Sequence, residues 1–188
     1  MRARHTITLA AVVLFAMVAC SLPSTGATQI FYDTQFYLYA VSADNWVRND
    51  VRYTPNRLRA ADGISKGEAT RFTAMTNNGP APGTPLTTGS LIALKSLTGS
   101  HPWCVPTNTN TGLINATILC ETNTQTTEWL LIYKQDGNPL GAPIYAGDTV
   151  RFASGVGGCA APPWPTNGAA LYCAGTGQNA WLDFHIEV

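Results

Sequence analysis

A twelve-residue stretch occurs twice in this chain and constrains its fold more than any other feature. Pro85-Leu86-Thr87-Thr88-Gly89-Ser90-Leu91-Ile92-Ala93-Leu94-Lys95-Ser96 returns as Pro143-Ile144-Tyr145-Ala146-Gly147-Asp148-Thr149-Val150-Arg151-Phe152-Ala153-Ser154. Proline, aliphatic, glycine, alternating apolar residues and serine keep one register in both copies. A looser third copy lies upstream, with Leu38, Ala40 and Ser42 in that register and Gln35 in place of the glycine. Recurrence at this spacing marks a fold assembled from equivalent units, none of which can bury its apolar side alone.

Other landmarks recur in step. The two glycines are 58 residues apart, Cys120 and Cys173 are 53 apart, and Trp129 and Trp181 are 52 apart. Short apolar runs separated by Gly, Pro, Asn and Thr clusters predict an all-β chain of three four-stranded units, about 28–79, 80–138 and 139–188. In the first unit, strands are expected at Phe36 to Ser42, Val51 to Tyr53, Arg57 to Ala60 and Thr70 to Met75, with Trp46 in a polar turn. Closing twelve strands around a shared axis removes exposed sheet edges. A two-sheet sandwich is the alternative architecture.

Residues 1–27 read as an export leader, in which Arg2 and Arg4 precede an apolar run from Ile7 to Ala19 too short to span a bilayer. Two cleavage readings stand. Thr25-Gly26-Ala27 suits cutting before Thr28, whereas Met17-Val18-Ala19-Cys20 resembles a lipobox that would end the leader at residue 19 and acylate Cys20. A membrane link is expected only through that lipid. Without the leader, nine basic residues face eleven acidic ones. Arg48, Arg52, Arg57, Arg59, Lys66 and Arg71 alternate with Asp44, Asp50, Asp62 and Glu68, which reads as a solvated mixed-charge face and argues against nucleic acid as a partner.

Setting Cys20 aside leaves Cys104, Cys120, Cys159 and Cys173, an even set suited to an oxidising compartment. Spacing alone cannot choose among their three pairings. Cys120 and Cys173 hold matching places in the repeat, with Cys104 and Cys159 each upstream in the same unit, so the pairs expected are Cys104–Cys120 and Cys159–Cys173.

Three units of four strands resemble a β-trefoil. The late Trp129-Leu130-Leu131-Ile132 and Trp181-Leu182-Asp183-Phe184 are similar to the ricin-B-type lectin branch, as is one disulfide per unit. The resemblance covers roughly residues 30–188 and implies a single trefoil domain at 28–188. The family's Gln-x-Trp stands here as Thr127-Glu128-Trp129 and Asn179-Ala180-Trp181, and its early-strand aspartate has no clear counterpart. The fold is therefore expected to carry over, and sugar binding is not carried over residue by residue.

Catalytic motifs are sparse. His101 and His185 lie in no nucleophile or metal signature, and no pair of carboxylates is marked out for glycoside hydrolysis. No enzymatic activity, metal or cofactor is expected. Trp46, Trp103 and Trp164 fall after the first strand of each unit and have two readings. They stack on sugar faces, with Asp44, Asn45 and Asn167 bonding hydroxyls, or they plug one end of the barrel. Trp129 and Trp181 are expected in the core. Asn115-Ala116-Thr117 is an N-glycosylation sequon for a eukaryotic secretory pathway. The chain is thus expected to be a secreted or surface-exposed, lectin-like protein that binds a glycan or cell-surface polymer. A self-associating structural or interaction protein of the surface is the first alternative, and a Kunitz-type protease inhibitor the second.

Overall fold

The computed structural model describes residues 26–52, 56–60, 63–76, 80–107, 115–122, 130–155, 157–160, 170–174 and 183–188. Thirteen strands follow one another there: β1 (Gln35–Ala40), β2 (Asn45–Trp46), β3 (Arg48–Asp50), β4 (Asn56–Arg59), β5 (Phe72–Met75), β6 (Ser90–Ser96), β7 (Trp103–Thr107), β8 (Asn115–Thr122), β9 (Leu130–Lys134), β10 (Thr149–Ser154), β11 (Gly157–Ala160), β12 (Tyr172–Ala174) and β13 (Phe184–Glu187). A single turn of 3-10 helix lies at Lys66–Glu68. The strands form one antiparallel sheet, so the all-β expectation stands.

Six strands close a ring. β1 pairs with β5, β5 with β6, β6 with β9, β9 with β10, β10 with β13, and β13 returns to β1. Strand alternation sends every second residue inward. Phe36, Leu38, Phe72, Ala74, Ile92, Leu94, Leu130, Ile132, Val150, Phe152, Phe184 and Ile186 fill the ring, none more than 4% exposed. Full burial of each larger side chain contributes roughly 1.5–3 kcal/mol.

Three hairpins form a second layer over one end. β3–β4, β7–β8 and β11–β12 meet through the β4–β8 and β8–β12 pairings and a bridge from Arg59 to Ala170. Leu58, Ile118 and Leu171 converge at their centre, where the Ile118 N–H donates to Leu171 O and the Leu171 N–H to Leu58 O, both at 2.8 Å. At the opposite end, Ile30 N–H donates to Ile144 O (2.9 Å), Ile144 N–H to Leu86 O (2.9 Å), and Leu86 N–H to Ile30 O (2.8 Å). All three side chains are fully buried. Each unit supplies one residue to this cycle.

The pairing register corrects the first copy of the repeat. Phe36, Leu38 and Ala40 stand where the second unit has Ile92, Leu94 and Ser96, so the glycine's counterpart is Asp33, and Gln35 begins β1 facing outward. Asp33 takes φ of 72°, against 85° at Gly89 and 89° at Gly147. A short polar side chain closes the same turn each time. Thr34 Oγ1 accepts from Phe31 N–H, Ser90 Oγ from Thr87 N–H and Asp148 Oδ2 from Tyr145 N–H, at 3.1, 3.2 and 2.7 Å. Aspartate tolerates the left-handed region, so the geometry persists while the glycine signature is lost.

Four further expectations change. The thirteenth strand arises because the second strand of the first unit is divided at Val47, whose N–H donates to Leu38 O at 2.8 Å. Trp46 lies in β2 rather than in a turn, and β3 ends at Asp50 rather than starting at Val51. The mixed-charge face is partly buried, since Asp50 is 2% and Arg59 8% exposed. Hydrogen bonding lets these polar residues enter the interior, an outcome that a polarity pattern does not reveal.

Disulfides join Cys104 to Cys120 and Cys159 to Cys173. Each crosses its hairpin on one rung. In the first unit the register Arg48↔Arg59 brings Val47 opposite Ala60 at the equivalent rung, and both are buried.

Candidate functional site

The outer face of β1 carries Gln35, Tyr37 and Tyr39, because Phe36 and Leu38 point inward. Pairing with β13 sets Tyr37 beside Glu187 and Tyr39 beside His185, and pairing with β2 sets Trp46 beside Tyr39. The half-buried Trp46 ring meets Tyr39 edge-on at 5.2 Å and Tyr37 at 6.2 Å. Tyr39 lies nearly parallel to His185 at 6.3 Å. The turn between β1 and β2 returns Asp44 to this patch in left-handed backbone, φ 51°. Asp44 is exposed and accepts a hydrogen bond from the Tyr39 hydroxyl. That bond, aided by burial and by the carboxylate charge, raises the phenol above its ordinary pKa.

Charged side chains frame the aromatic patch. Lys66 Nζ sits 5.3 Å from the Tyr37 ring centre and 5.4 Å from that of Trp46, and contacts Glu187 Oε2 at 2.9 Å. The helical turn bearing Lys66 is held by Glu68, whose carboxylate accepts from the Ser65 N–H (3.2 Å) and hydroxyl (3.1 Å). Arg71 donates from Nε to the Tyr37 hydroxyl at 2.6 Å and lies 5.5 Å from its ring. Beside them opens a cleft of about 420 Å³ walled by Gln35, Tyr37, Arg71, Leu97 and Thr98.

The structure thus brings Trp46 and Asp44 together with Tyr39. Asn45 is adjacent, but its Nδ2 donates back to Ala43 O at 2.7 Å. Trp103 occupies the rung equivalent to Trp46, opposite Lys95 as Trp46 is opposite Tyr39. It is nevertheless only 7% exposed. β8 runs alongside it to Thr122. Its burial, with Lys95 Nζ 5.5 Å from the ring, favours the packing reading of Trp103 over the sugar-platform one. The third unit places Gly158 on that rung. Trp164 and Asn167 lie outside the described residues, as do Trp129, Trp181 and Cys20. Asn115 opens β8, paired with Ala174.

Tyr37, Tyr39, Lys66, Arg71, His185 and Glu187 are additions to the predicted set. The signal was present in part: Tyr37 and Tyr39 alternate with apolar residues in β1, as His185 and Glu187 do in β13. Adjacency of the two strands, which unites them, comes only from closure of the ring.

A second polar cluster lies on β3 and β4. Asp50 accepts from Arg52 Nε (2.8 Å) and Nη2 (2.7 Å) and from Arg59 Nη1 (2.6 Å), with Arg48 at 3.8 Å. The Arg52 and Arg59 bonds outweigh desolvation and hold its carboxyl well below the usual range. A hollow of about 280 Å³ adjoins it, walled by Arg48, Asn49, Glu68, Thr70 and Thr98. Asn49 is tied by Nδ2 to Ser96 Oγ (3.1 Å) and Thr98 O (2.8 Å), and its N–H donates to Thr70 Oγ1 (2.9 Å). These bonds fasten the first hairpin to β6.

Solved structures share this fold at low identity. The crystal structure of the lysenin pore matches with a TM-score of 0.59 and 14% identity, over 86% of this chain and 48% of the lysenin chain. A type II water-soluble Chl-binding protein matches at 0.62 and 10%, over 84% and 92%. The botulinum neurotoxin serotype D binding domain matches at 0.60 and 12%, over 84% and 42%. The chain thus spans about half the length of the lysenin chain. Among curated proteins no sequence matches. The family profile described as domain of unknown function DUF5888 covers residues 5–184, and the chain belongs to that family.

Proposed function

We propose that this chain is an exported β-trefoil protein without catalytic activity, which binds carbohydrate through the face around Trp46. The six-stranded ring, the three hairpins and the three-residue hydrogen-bond cycle favour the trefoil. Two disulfides, together with the leader expected from the sequence, favour an extracellular or surface setting. The observation that carries the binding reading is the half-buried Trp46 standing against Tyr39 beside exposed Asp44. An indole face takes sugar C–H groups while a carboxylate and phenol bond their hydroxyls. Carboxylates here are already engaged, Asp44 by Tyr39, Glu187 by Lys66 and Asp183 by Arg151 at 2.6 Å. The solved neighbours are compatible with a binding role: one is a complex of lysenin with phosphocholine and another a neurotoxin receptor-binding domain.

A glycan array followed by calorimetry tests the reading. Trp46→Ala is expected to weaken binding roughly tenfold or more while the thermal midpoint stays close to wild type. Asp44→Asn should weaken binding by a smaller factor. If Trp46→Ala folds and binds glycans as tightly as wild type, the face is not the site. If no glycan or cell-wall polymer binds the wild-type chain, the reading fails.

A further inference from the structure

We infer that the corner formed by Tyr37, Trp46 and Glu187 is an ammonium site whose built-in occupant is Lys66, and that the glycan taken here is a protonated amino sugar. The inference rests on the carbohydrate reading and names its substrate class. Three walls surround the Lys66 nitrogen. Two are aromatic rings at 5.3 and 5.4 Å, set 79° apart, and the third is the Glu187 carboxylate at 2.9 Å. Ring quadrupoles and a carboxylate both favour a cation, and nothing in such a corner rewards a neutral group equally.

The occupant is easily displaced. Lys66 is 45% exposed and Glu187 40%, so their ion pair adds little to stability. The ammonium hangs on a flexible four-carbon stem from one turn of helix, whereas the walls stand on β1, β2 and β13. When Lys66 swings out, the corner remains in place. An incoming ammonium can then take the same position, in competition with the tethered one.

Tyr37 is shared with the 420 Å³ cleft, where Gln35, Arg71 and Thr98 offer donors and acceptors to sugar hydroxyls. Arg71 lies against the Tyr37 ring as a second cation. It repels a ligand ammonium from the cleft, and so orients an amino sugar with its charge toward Glu187 and its hydroxyls toward Gln35. An N-acetylated sugar fits the cleft but brings no charge to the corner.

Calorimetric titration of the whole chain with glucosamine oligomers, N-acetylglucosamine oligomers, tetramethylammonium and phosphatidylcholine vesicles separates the outcomes. The glucosamine oligomer should bind roughly fivefold or more tightly than its acetylated counterpart. Lys66→Ala should strengthen that binding by a similar factor, and Glu187→Gln should remove the preference. Equal affinity for both oligomers, in wild type and in Lys66→Ala, overturns the ammonium site while leaving the carbohydrate reading intact. If neither oligomer binds but Lys66→Ala takes tetramethylammonium, the carbohydrate reading fails and the corner stands. Binding of vesicles in place of the glucosamine oligomer overturns the amino-sugar assignment.

Discussion

Asp50 shows how one residue holds a hairpin. Its carboxylate accepts three charge-assisted hydrogen bonds from Arg52 and Arg59, almost out of contact with water. Replacing it with asparagine keeps the shape but leaves Arg59, itself 8% exposed, facing a neutral group. Breaking a buried pair by removing one partner costs about 3–5 kcal/mol. Because the Arg52 side chain is 66% exposed, about 2–3 kcal/mol is expected for Asp50→Asn at neutral pH. The pH dependence has a fixed sign. The folded-state pKa lies below the unfolded value, so this stabilisation is complete above the ordinary carboxylate range and is lost as pH falls below about 4. Denaturant melts from pH 7 downward should therefore show wild type losing stability faster than Asp50→Asn, the gap closing in acid. A gap independent of pH would mean that the asparagine acts through shape and not through charge.

At the scale of the element, the three hairpins are variants of one design. Two carry a cystine on the rung where the first carries Val47 and Ala60. If the rungs are equivalent, Val47→Cys with Ala60→Cys should oxidise without rearrangement and close a third loop, worth about 3 kcal/mol on the chain-entropy model. Thiol titration should find no added free cysteine, and reduction should lower the thermal midpoint more than in wild type. Two free thiols in the folded double variant would show that the first hairpin is splayed. The same elements show what could be read from the amino acids. Cys104, Cys120, Cys159 and Cys173 announced their hairpins because a repeated rare residue is an unambiguous mark. The corresponding rung in the first unit was invisible, since a valine facing an alanine resembles any other buried contact. Asp33 escaped notice for a related reason: the repeat preserves a backbone angle, and aspartate satisfies it without the glycine. Trp46 was legible as a candidate and Trp103 was not separable from it. Their difference is one of burial, Trp103 buried and Trp46 half-buried, which is set by what packs around each indole and not by the tryptophan itself.

For the whole molecule, closure is the property that places the candidate site. Tyr37 and Glu187 lie at opposite ends of the chain and become neighbours only because β13 returns to β1. The same closure depends on the axis at the far end, where Ile30, Leu86 and Ile144 exchange backbone hydrogen bonds in a cycle. A cycle has no terminal member, so no one of the three can be removed without orphaning a donor and an acceptor among buried groups. Although Ile30 lies only a few residues before β1, it should matter as much as the two interior residues. Truncating any of the three to alanine is expected to cost about 2–5 kcal/mol, because the cavity opens where three units meet and none can collapse into it alone. Hydrogen exchange provides the sharper measurement. The amides of Ile30, Leu86 and Ile144 should exchange together, at the rate of global unfolding, in the wild-type chain. If Ile30 exchanges much earlier, with Ile30→Ala nearly neutral, the first segment is an accessory strap and two units suffice to hold the ring. If the three exchange as one, the first unit is bound into the same cooperative structure as the others although it has neither the glycine nor the disulfide.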